Sequence, residues 1–452
     1  MIHMRYISSM LLLVGGLASV GWAQKKQDTA AVISVTASSD WVMPKTIDIP
    51  QVLKPLVDQT VNHNGVPVVK MWQNPMPTDA PDAGYPAMPS AKHVFIFKAS
   101  VETGGYNHHT NFMMHQGKFY ATWSNHPKGE DSPGQRVLFS ISEDGENWSP
   151  FAESYPRPRP VGEFEESGYY CVASPWFVHN DKVYATGQLF ETMGWENVDK
   201  TELQPIRDRQ HKFRRFRFVT RMIRPVYEDG TLGPMVALHP ETLPEPGKIS
   251  LPLVDISTVT AEHAQALEAL KASRKELTNK YSNFPPPGVD PSRLCEPTIY
   301  TAPDGKTITL LRDDKYSHRL YVSVLDESTM RWCDALPTNI PDSPSMTTAV
   351  SLSDGRVILV GNQMATAFDN VKQRKHYGRD PLVLSVSYDG YRFTSAYALR
   401  CGKQQYRVPN VKGRGGGPQY PNLAVYGDKL YVMYSIGKED IAISIVPLKD
   451  LK

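Results

Sequence analysis

The feature that most limits what this chain can fold into recurs five times: an apolar run, a two-residue turn signal, and a second apolar run. It reads "FMMHQGKFYATWSN", "WFVHNDKVYATGQLF", "TIYTAPDGKTITLLRDD", "TAVSLSDGRVILVGNQ" and "NLAVYGDKLYVMYS". The turns fall at Gly117-Lys118, Asn180-Asp181, Asp304-Gly305, Asp354-Gly355 and Gly427-Asp428. Gly, Asn and Asp reach the positive φ that a tight hairpin turn needs, so each unit predicts an antiparallel β-hairpin.

A second signal follows several of these hairpins. "SEDGENW" (Ser142 to Trp148) and "SYDGYRF" (Ser387 to Phe393) each place a Ser, then an Asp, then an aromatic, and "SVLDESTMRW", ending at Trp332, is a looser copy. This is the pattern of an Asp box, a turn between the outer strands of a β-propeller blade. The Asp accepts hydrogen bonds from turn amides and the aromatic packs between blades, so its role is structural.

Repeats about every fifty residues, each with several short strands, predict an all-β propeller. Clear units lie near 106–150, 169–230, 295–334, 345–395 and 419–448. N-terminal strands at about 66–100 and the weaker region 231–290 bring the expectation to seven blades, with six as the alternative, in a single catalytic domain over 24–452. The last blade is expected to be closed by an N-terminal strand. "AEHAQALEALKASRKEL" (Ala261 to Leu277) reads as one inserted amphipathic helix capped by Thr260.

The start, "MIHMRYISSMLLLVGGLASVGWAQ", has an Arg, an apolar core too short to span a bilayer, and small residues at Gly21 and Ala23. It predicts a signal peptide over 1–23, cleavage after Ala23, and a periplasmic or extracellular protein. A net charge of +2 over 452 residues gives no bulk attraction to nucleic acid or to a membrane surface. The cation-aromatic run "RDRQHKFRRFRFVTRMIR" (Arg207 to Arg224) therefore reads as a strand with one or two cations lent to an anionic ligand. Cys171, Cys295, Cys333 and Cys401 form no CxxC pair, which excludes a zinc knuckle and leaves disulfides and buried thiols both open. A monomer is expected.

Hairpin register sorts the polar residues. The start of a blade's inner strand, the end of its second strand and the following loop all meet at one end of the axis. That end receives Asn107, His108 and His109 from "GYNHHTNF", then Asn125, His126, Glu130, Gln135 and Arg136. Later units send Glu166, Tyr170, Gln188, Arg221, Glu296, Arg312, Arg379 and Tyr420. The turn-side end gets generic turn formers. His108, His109 and His126 suit general acid or base work near neutral pH; their spacing matches no recognised metal-ligand set, and no metal ligand is assigned. Arg312 ends an apolar strand and can offer a bidentate fork to a carboxylate. Only one of two adjacent strand residues normally faces a given side, so either His108 or His109 is expected to face the site. "GRGGGP" (Gly413 to Pro418) lacks the Lys-Ser/Thr of a phosphate loop and is either a close-approach segment or a linker.

The Asp boxes together with "EPTIYTAPDGKTITLLRDD" and "SMTTAVSLSDGRVILVGNQ" resemble the sialidase-like propellers. Sialidases carry an Arg-Ile-Pro motif in the first blade and an arginine triad; the first-blade region read here is "HVFIFKAS", which lacks that motif. The stretch "NHHTNFMMHQGKFYATWSNHPKGEDSPGQRVLFSISEDGENW" looks more like the seven-bladed propellers that remove rhamnose caps from arabinogalactan, as lyases or hydrolases of L-rhamnosyl-α-1,4-D-glucuronate. That resemblance covers about 90–448. It implies a uronate-bearing glycan as substrate and a site of histidines, a tyrosine and arginines, which map here to His108 or His109, His126, Tyr170, Arg221 and Arg312. Catalytic residues are therefore expected among His108, His109, His126, Tyr170 and Arg312, and the strand ends add Asn107, Asn125, Gln135, Arg136, Gln188, Arg221, Glu296, Arg379 and Tyr420 as expected substrate contacts. In some members the resemblance implies a calcium ion near the axis; the sequence itself requires no cofactor. β-Elimination is the leading expectation, with hydrolysis of the same linkage and a non-catalytic glycan-binding propeller as alternatives.

Overall fold

A computed structural model describes residues 47–63, 65–158, 167–197, 212–280, 286–287, 294–314, 317–364, 379–402 and 404–452. The signal segment 1–23 and Glu166 lie outside these residues.

The chain opens with β1 (Val57–His63), β2 (Val66–Val69) and β3 (Lys92–Phe97). The first full sheet is a meander of β4 (Tyr106–His115), β5 (Lys118–His126), β6 (Arg136–Ser142) and β7 (Ala152–Tyr155). The second comprises β8 (Ser167–Ala173), β9 (Phe177–His179), β10 (Lys182–Asn197), β11 (Lys212–Val226) and β12 (Val236–Ala237), followed by helix α1 (Ala261–Lys280). The third holds β13 (Leu294–Thr301), β14 (Thr307–Asp313), β15 (Arg319–Asp326), β16 (Arg331–Trp332) and β17 (Leu336–Pro341). The fourth is β18 (Thr348–Ser351), β19 (Val357–Gly361), β20 (Leu382–Ser387) and β21 (Phe393–Arg400). The fifth is β22 (Pro418–Tyr426), β23 (Lys429–Ile436) and β24 (Asp440–Pro447), completed by β3.

The protein is all-β with one α-helix among the described residues, and its five sheets coincide with the five hairpin units of the sequence. The strands expected to supply further blades join these sheets instead. β1 and β2 extend the third sheet through a parallel Thr338–Val69 bridge, and β12 adds to the second. Seven or six separate blades are thus not seen among the described residues. β3 pairs antiparallel with β24, so an N-terminal strand does complete the last sheet.

The core lies in wedges between successive sheets. Phe112, Trp123, Tyr431 and Ile443 fill the wedge between the fifth and first; Val137, Tyr155, Leu189 and Met222 fill that between the first and second. On the other face of the second sheet, Ala266, Leu267 and Leu270 of α1 pack against Tyr184, Ile223 and Val236. The helix starts where the sequence predicts, with Thr260 Oγ1 accepting the His263 amide at 3.3 Å.

Hydrogen bonds tie the inner strands side by side. Thr110 Oγ1 on β4 donates to the Tyr420 carbonyl on β22 at 2.9 Å, Thr348 Oγ1 on β18 to the Pro421 carbonyl at 2.6 Å, and the Ala349 amide to Thr298 Oγ1 on β13 at 2.7 Å. The two clear Asp boxes form as expected: Asp144 accepts the Glu146 and Asn147 amides at 2.8 and 2.7 Å, and Asp389 those of Tyr391 and Arg392 at the same two distances. The first hairpin turn sits one residue earlier than the sequence suggests, at Gln116-Gly117, both with positive φ.

Candidate functional site

The inner strands β4, β13 and β22 each carry an irregularity at the same end. Register slips between His108 and Asn111, between Cys295 and Thr298, and between Gln419 and Asn422. Within these bulges His109, Glu296 and Tyr420 have φ of 51°, 48° and 57°, a left-handed conformation that L-residues seldom adopt outside glycine. A bulge re-aims a side chain that regular pleating would send to the other face. Three sheets therefore deliver a His, a Glu and a Tyr to one place. This corrects the expectation that only one of His108 and His109 can face the site: the His108 and His109 rings lie 5.0 Å apart, and both stand beside Tyr420, at 4.1 and 6.4 Å.

Tyr420 is the hub. Its hydroxyl donates a very short hydrogen bond to Glu296 Oε1 and accepts one from Arg312 Nη1 at 3.1 Å. Arg312 also reaches Glu296 Oε2 and Asp314 Oδ1, each at 2.8 Å. The Arg379 guanidinium lies 5.3 Å from the Tyr420 ring centroid and is held by the Pro344 carbonyl at 2.7 Å and by Gln419. Burial and the Glu296 charge push the phenol well above its usual value, against the opposing pull of Arg312 and Arg379, so it is protonated at neutral pH. Burial disfavours the Glu296 carboxylate, but the Arg312 charge and the Tyr420 hydrogen bond outweigh it and hold its pKa low. Arg312 is raised: burial works against its charge, and Glu296 and Tyr420 more than compensate. A protonated phenol thus faces an ionised carboxylate, with a fixed cation beside both.

A second cluster flanks Tyr420. His108, fully buried, meets Ser435 Oγ through Nδ1 at 2.8 Å, and its Nε2 has no partner. Burial and the nearby Lys438 charge push it well below the usual histidine range, so it is neutral. His109 Nε2 lies 3.3 Å from Glu130 Oε1, whose other oxygen holds Lys438 Nζ at 2.6 Å. Burial opposes the His109 charge, but Glu130 and Asp131 raise its pKa overall. His109 and Glu130 keep 24% and 32% of their side-chain surface, so this cluster opens to solvent.

The remaining predicted residues serve other ends. His126 is engaged at both ring nitrogens by its own loop: Nδ1 accepts the Lys128 and Gly129 amides at 3.0 and 3.1 Å, and Nε2 meets the Pro133 carbonyl at 3.2 Å. Asn107 accepts Trp123 Nε1 and Asn125 Nδ2 at 3.1 and 2.8 Å; Asn125 in turn accepts Arg136 Nε at 2.7 Å. Arg136 also pairs with Glu153. Gln135 donates to the Cys171 carbonyl at 2.8 Å. These groups knit the first sheet's rim together rather than converge on Tyr420. Tyr170 is buried and stacked on Phe190, with centroids 5.4 Å apart. Gln188 and Arg221 are cross-strand neighbours on β10 and β11. The four cysteines are free thiols. Gly417 in "GRGGGP" makes a close approach: a Cβ there would lie 2.1 Å from the Arg379 carbonyl oxygen, so the segment positions Arg379.

Three groups at the site escaped sequence reading. Lys438 sits in the turn after β23, in an ordinary charged turn "GKED", and Asp342 just past β17, a lone charge with no local motif. Tyr106, fully buried, has its ring 6.1 Å from His108 and in the sequence reads as a plain strand aromatic at the head of "YNHHTNF". "HVFIFKAS" also changes place: it is the outer strand of the last sheet, and the first sheet's inner strand is "YNHHTNFMMH", which carries no Arg-Ile-Pro either. Among the described residues, the three-residue cluster with metal-ligand character is His108, His109 and Glu130. Two imidazoles and a Lys-paired carboxylate do not suit calcium, which takes six to eight oxygen ligands.

A family model described as a BNR repeat-like domain matches residues 233–432. Among solved structures, the chain is similar to a sialidase at 18% identity and a TM-score of 0.60, over 84% of this chain and 35% of that one. It is also similar to the Hadza microbial sialidase Hz136 at 11% identity and a TM-score of 0.51, over 80% of this chain and 69% of that one. This chain thus spans about a third of the first structure. No curated protein matches it. The likeness defines the class of fold, a sialidase-like BNR-repeat β architecture.

Proposed function

We propose that this chain is an exported, glycan-active enzyme of propeller architecture, with Tyr420 at its reacting centre and a carboxylate-bearing sugar as substrate. The observation that carries this reading is the Tyr420 hydroxyl held between Glu296 and Arg312. In the hydrolytic form of the reaction, Tyr420 attacks the anomeric carbon as Glu296 takes its proton, while Arg312 stabilises the developing phenolate. A tyrosine nucleophile is the recognised exception to the carboxylate pair, found in sialidases. A neutral nucleophile also meets an anionic sugar without like-charge repulsion. Arg379, with the outer face of Arg312, receives the sugar carboxylate. His109, protonated beside Glu130, gives its proton to the leaving oxygen; water, deprotonated by His109, then attacks the anomeric carbon, and the Tyr420 oxygen leaves with the proton held by Glu296.

A second reading rests on the histidine pair. A neutral His108 and a charged His109 beside the same tyrosine suit β-elimination of a rhamnosyl-α-1,4-glucuronate cap. His108, neutral, removes the proton α to the carboxylate, the arginines stabilise the resulting charge, and His109 protonates the departing rhamnose oxygen.

The test is incubation with gum arabic and with a panel of sialylated and uronate-capped oligosaccharides. Released sugar without absorbance of an unsaturated uronate, together with a glycosyl adduct on Tyr420 in trapped protein, supports hydrolysis. Released rhamnose with rising absorbance supports elimination. Glycan binding without turnover refutes both and leaves a binding propeller.

A further inference from the structure

We propose that His108, His109 and Glu130 form a site for a divalent transition-metal ion of the zinc class, and that an ion bound there inhibits the enzyme. Each residue offers one donor atom, and the three donors lie within 4.8 Å of one another. His109 Nε2 and Glu130 Oε1 are 3.3 Å apart. A tetrahedral ion with bonds of about 2.0–2.1 Å sets its donors about 3.3 Å apart, so this pair has the spacing of one edge of a coordination shell.

Hydrogen bonds prepare the remaining donor. Ser435 Oγ donates to the Gln419 carbonyl at 3.5 Å, so it accepts from His108 Nδ1, 2.8 Å away. The ring proton is thus on Nδ1, and Nε2 carries the bare lone pair. His108 is fully buried, and this Nε2 has no hydrogen-bond partner. Metal-bound histidines are anchored in the same way through their other nitrogen. The ion enters from the solvent side, where His109 and Glu130 are partly exposed. Two imidazoles and one carboxylate, with a fourth position for water, are a ligand set that zinc accepts; calcium and magnesium prefer a shell of oxygens. Lys438 Nζ, 2.6 Å from Glu130 Oε2, fixes the carboxylate but repels a second cation. An ion at this point occupies the His109 nitrogen that faces Glu130, and the imidazole can no longer act as the acid. That inhibition rests on the reading above; the binding does not.

The experiment is calorimetric titration of untagged, chelator-treated protein with zinc chloride, and separately with calcium and magnesium chloride. Saturable binding of one zinc ion per chain is expected, with no binding of the other two ions at the same concentrations. Glu130→Gln should weaken zinc binding by about tenfold or more, through loss of a ligand. Lys438→Met should strengthen it several-fold, through loss of the neighbouring charge. Both residues lie in loops between strands, and either variant suffices if the other fails to fold. Zinc scattered over surface histidines responds to neither change, so equal binding by wild type and variants overturns the site, as does the absence of saturable binding. In active protein, the zinc concentration that halves turnover should match the calorimetric dissociation constant; full turnover at zinc saturation overturns the inhibition. Zinc binding by protein that turns over no glycan leaves the site standing and removes the catalytic reading, so the two failures are read separately.

Discussion

Asp342 gives the sharpest test of the electrostatics around the site. It follows β17, is 1% exposed, and neither carboxylate oxygen makes an ordinary side-chain hydrogen bond. Burial is the largest influence, opposed by the charges of Arg312 and Arg379 and reinforced by that of Glu296, and it pushes the carboxyl from an ordinary 3.8 up to about 8. The sign follows directly. Below pH 3.8 the folded and unfolded chains both hold the proton, and its contribution to stability is complete. Between 3.8 and about 8 the unfolded chain releases the proton while the folded chain keeps it, so stability falls with pH. The loss is about 1.4 kcal/mol per pH unit, summing to about 6 kcal/mol. Asp342→Asn is a neutral isostere and lacks this slope. Carboxylates held low by hydrogen bonds, such as Asp58 and Asp144, act in the opposite direction but are common to both proteins and cancel in the difference. Urea unfolding of wild type and Asp342→Asn from pH 4.5 to 9 should show the variant gaining on the wild type steadily up to pH 8. Parallel profiles would refute the account of a neutral, desolvated carboxyl.

The remaining predictions concern single groups. Tyr420→Phe should lower turnover by about 100-fold or more while the far-ultraviolet spectrum is unchanged, because the ring stays between His108 and Arg379; near-normal kcat would remove Tyr420 from the reacting centre. His109→Ala should fold normally and lose about 100-fold in rate, as loss of a general acid does, with the alkaline limb of the pH-rate profile abolished. His126→Ala should spare kcat and instead destabilise the protein by about 1–3 kcal/mol in chemical denaturation, since two loop amides lose their acceptor. Asp389→Ala should cost about 1–2 kcal/mol through the Asp-box turn, with kcat/KM unaltered.

Much of the architecture was legible because it is local. A two-residue turn between apolar runs specifies a hairpin whatever surrounds it, and all five hairpins formed. The Asp boxes and the Thr260 cap are also short-range hydrogen-bond patterns. The number of blades is not set by interval alone. β1, β2 and β3 read as strands, but which sheet a strand joins depends on partners more than 250 residues away: Val69 on Thr338, and Phe97 on Ile441. The site divides in the same way. Strand ends nominated His108, His109, Glu296, Arg312, Arg379 and Tyr420, which the structure brings together around Tyr420, since register alone brings inner-strand starts together. The same rule also nominated Asn107, Asn125, His126, Gln135 and Arg136. These reach the same end, but other polar groups engage them there, and engagement is a tertiary fact.

Pleating allows alternate residues of a strand to face the site, and a site assembled only from regular strands would draw widely spaced side chains from each. Here the bulges on β4, β13 and β22 lift that restriction at equivalent points. Each leaves a non-glycine residue in the left-handed region, at a cost of about 1–3 kcal/mol per residue. Three such costs persist only because the surroundings over-determine them. Asn422, just past the β22 bulge, donates to the Thr110 carbonyl at 2.6 Å, and Thr110, inside the β4 bulge, donates to the Tyr420 carbonyl at 2.9 Å. The two bulges therefore brace each other, while Glu296 and Tyr420 lock the third to them through their side chains. The strain and the chemistry reside in the same residues. A substitution that relaxes one bulge displaces both the residue it presents and the neighbour it braces, so mutations at Thr110 and Asn422, which touch no reacting atom, should act on the site as strongly as on the fold.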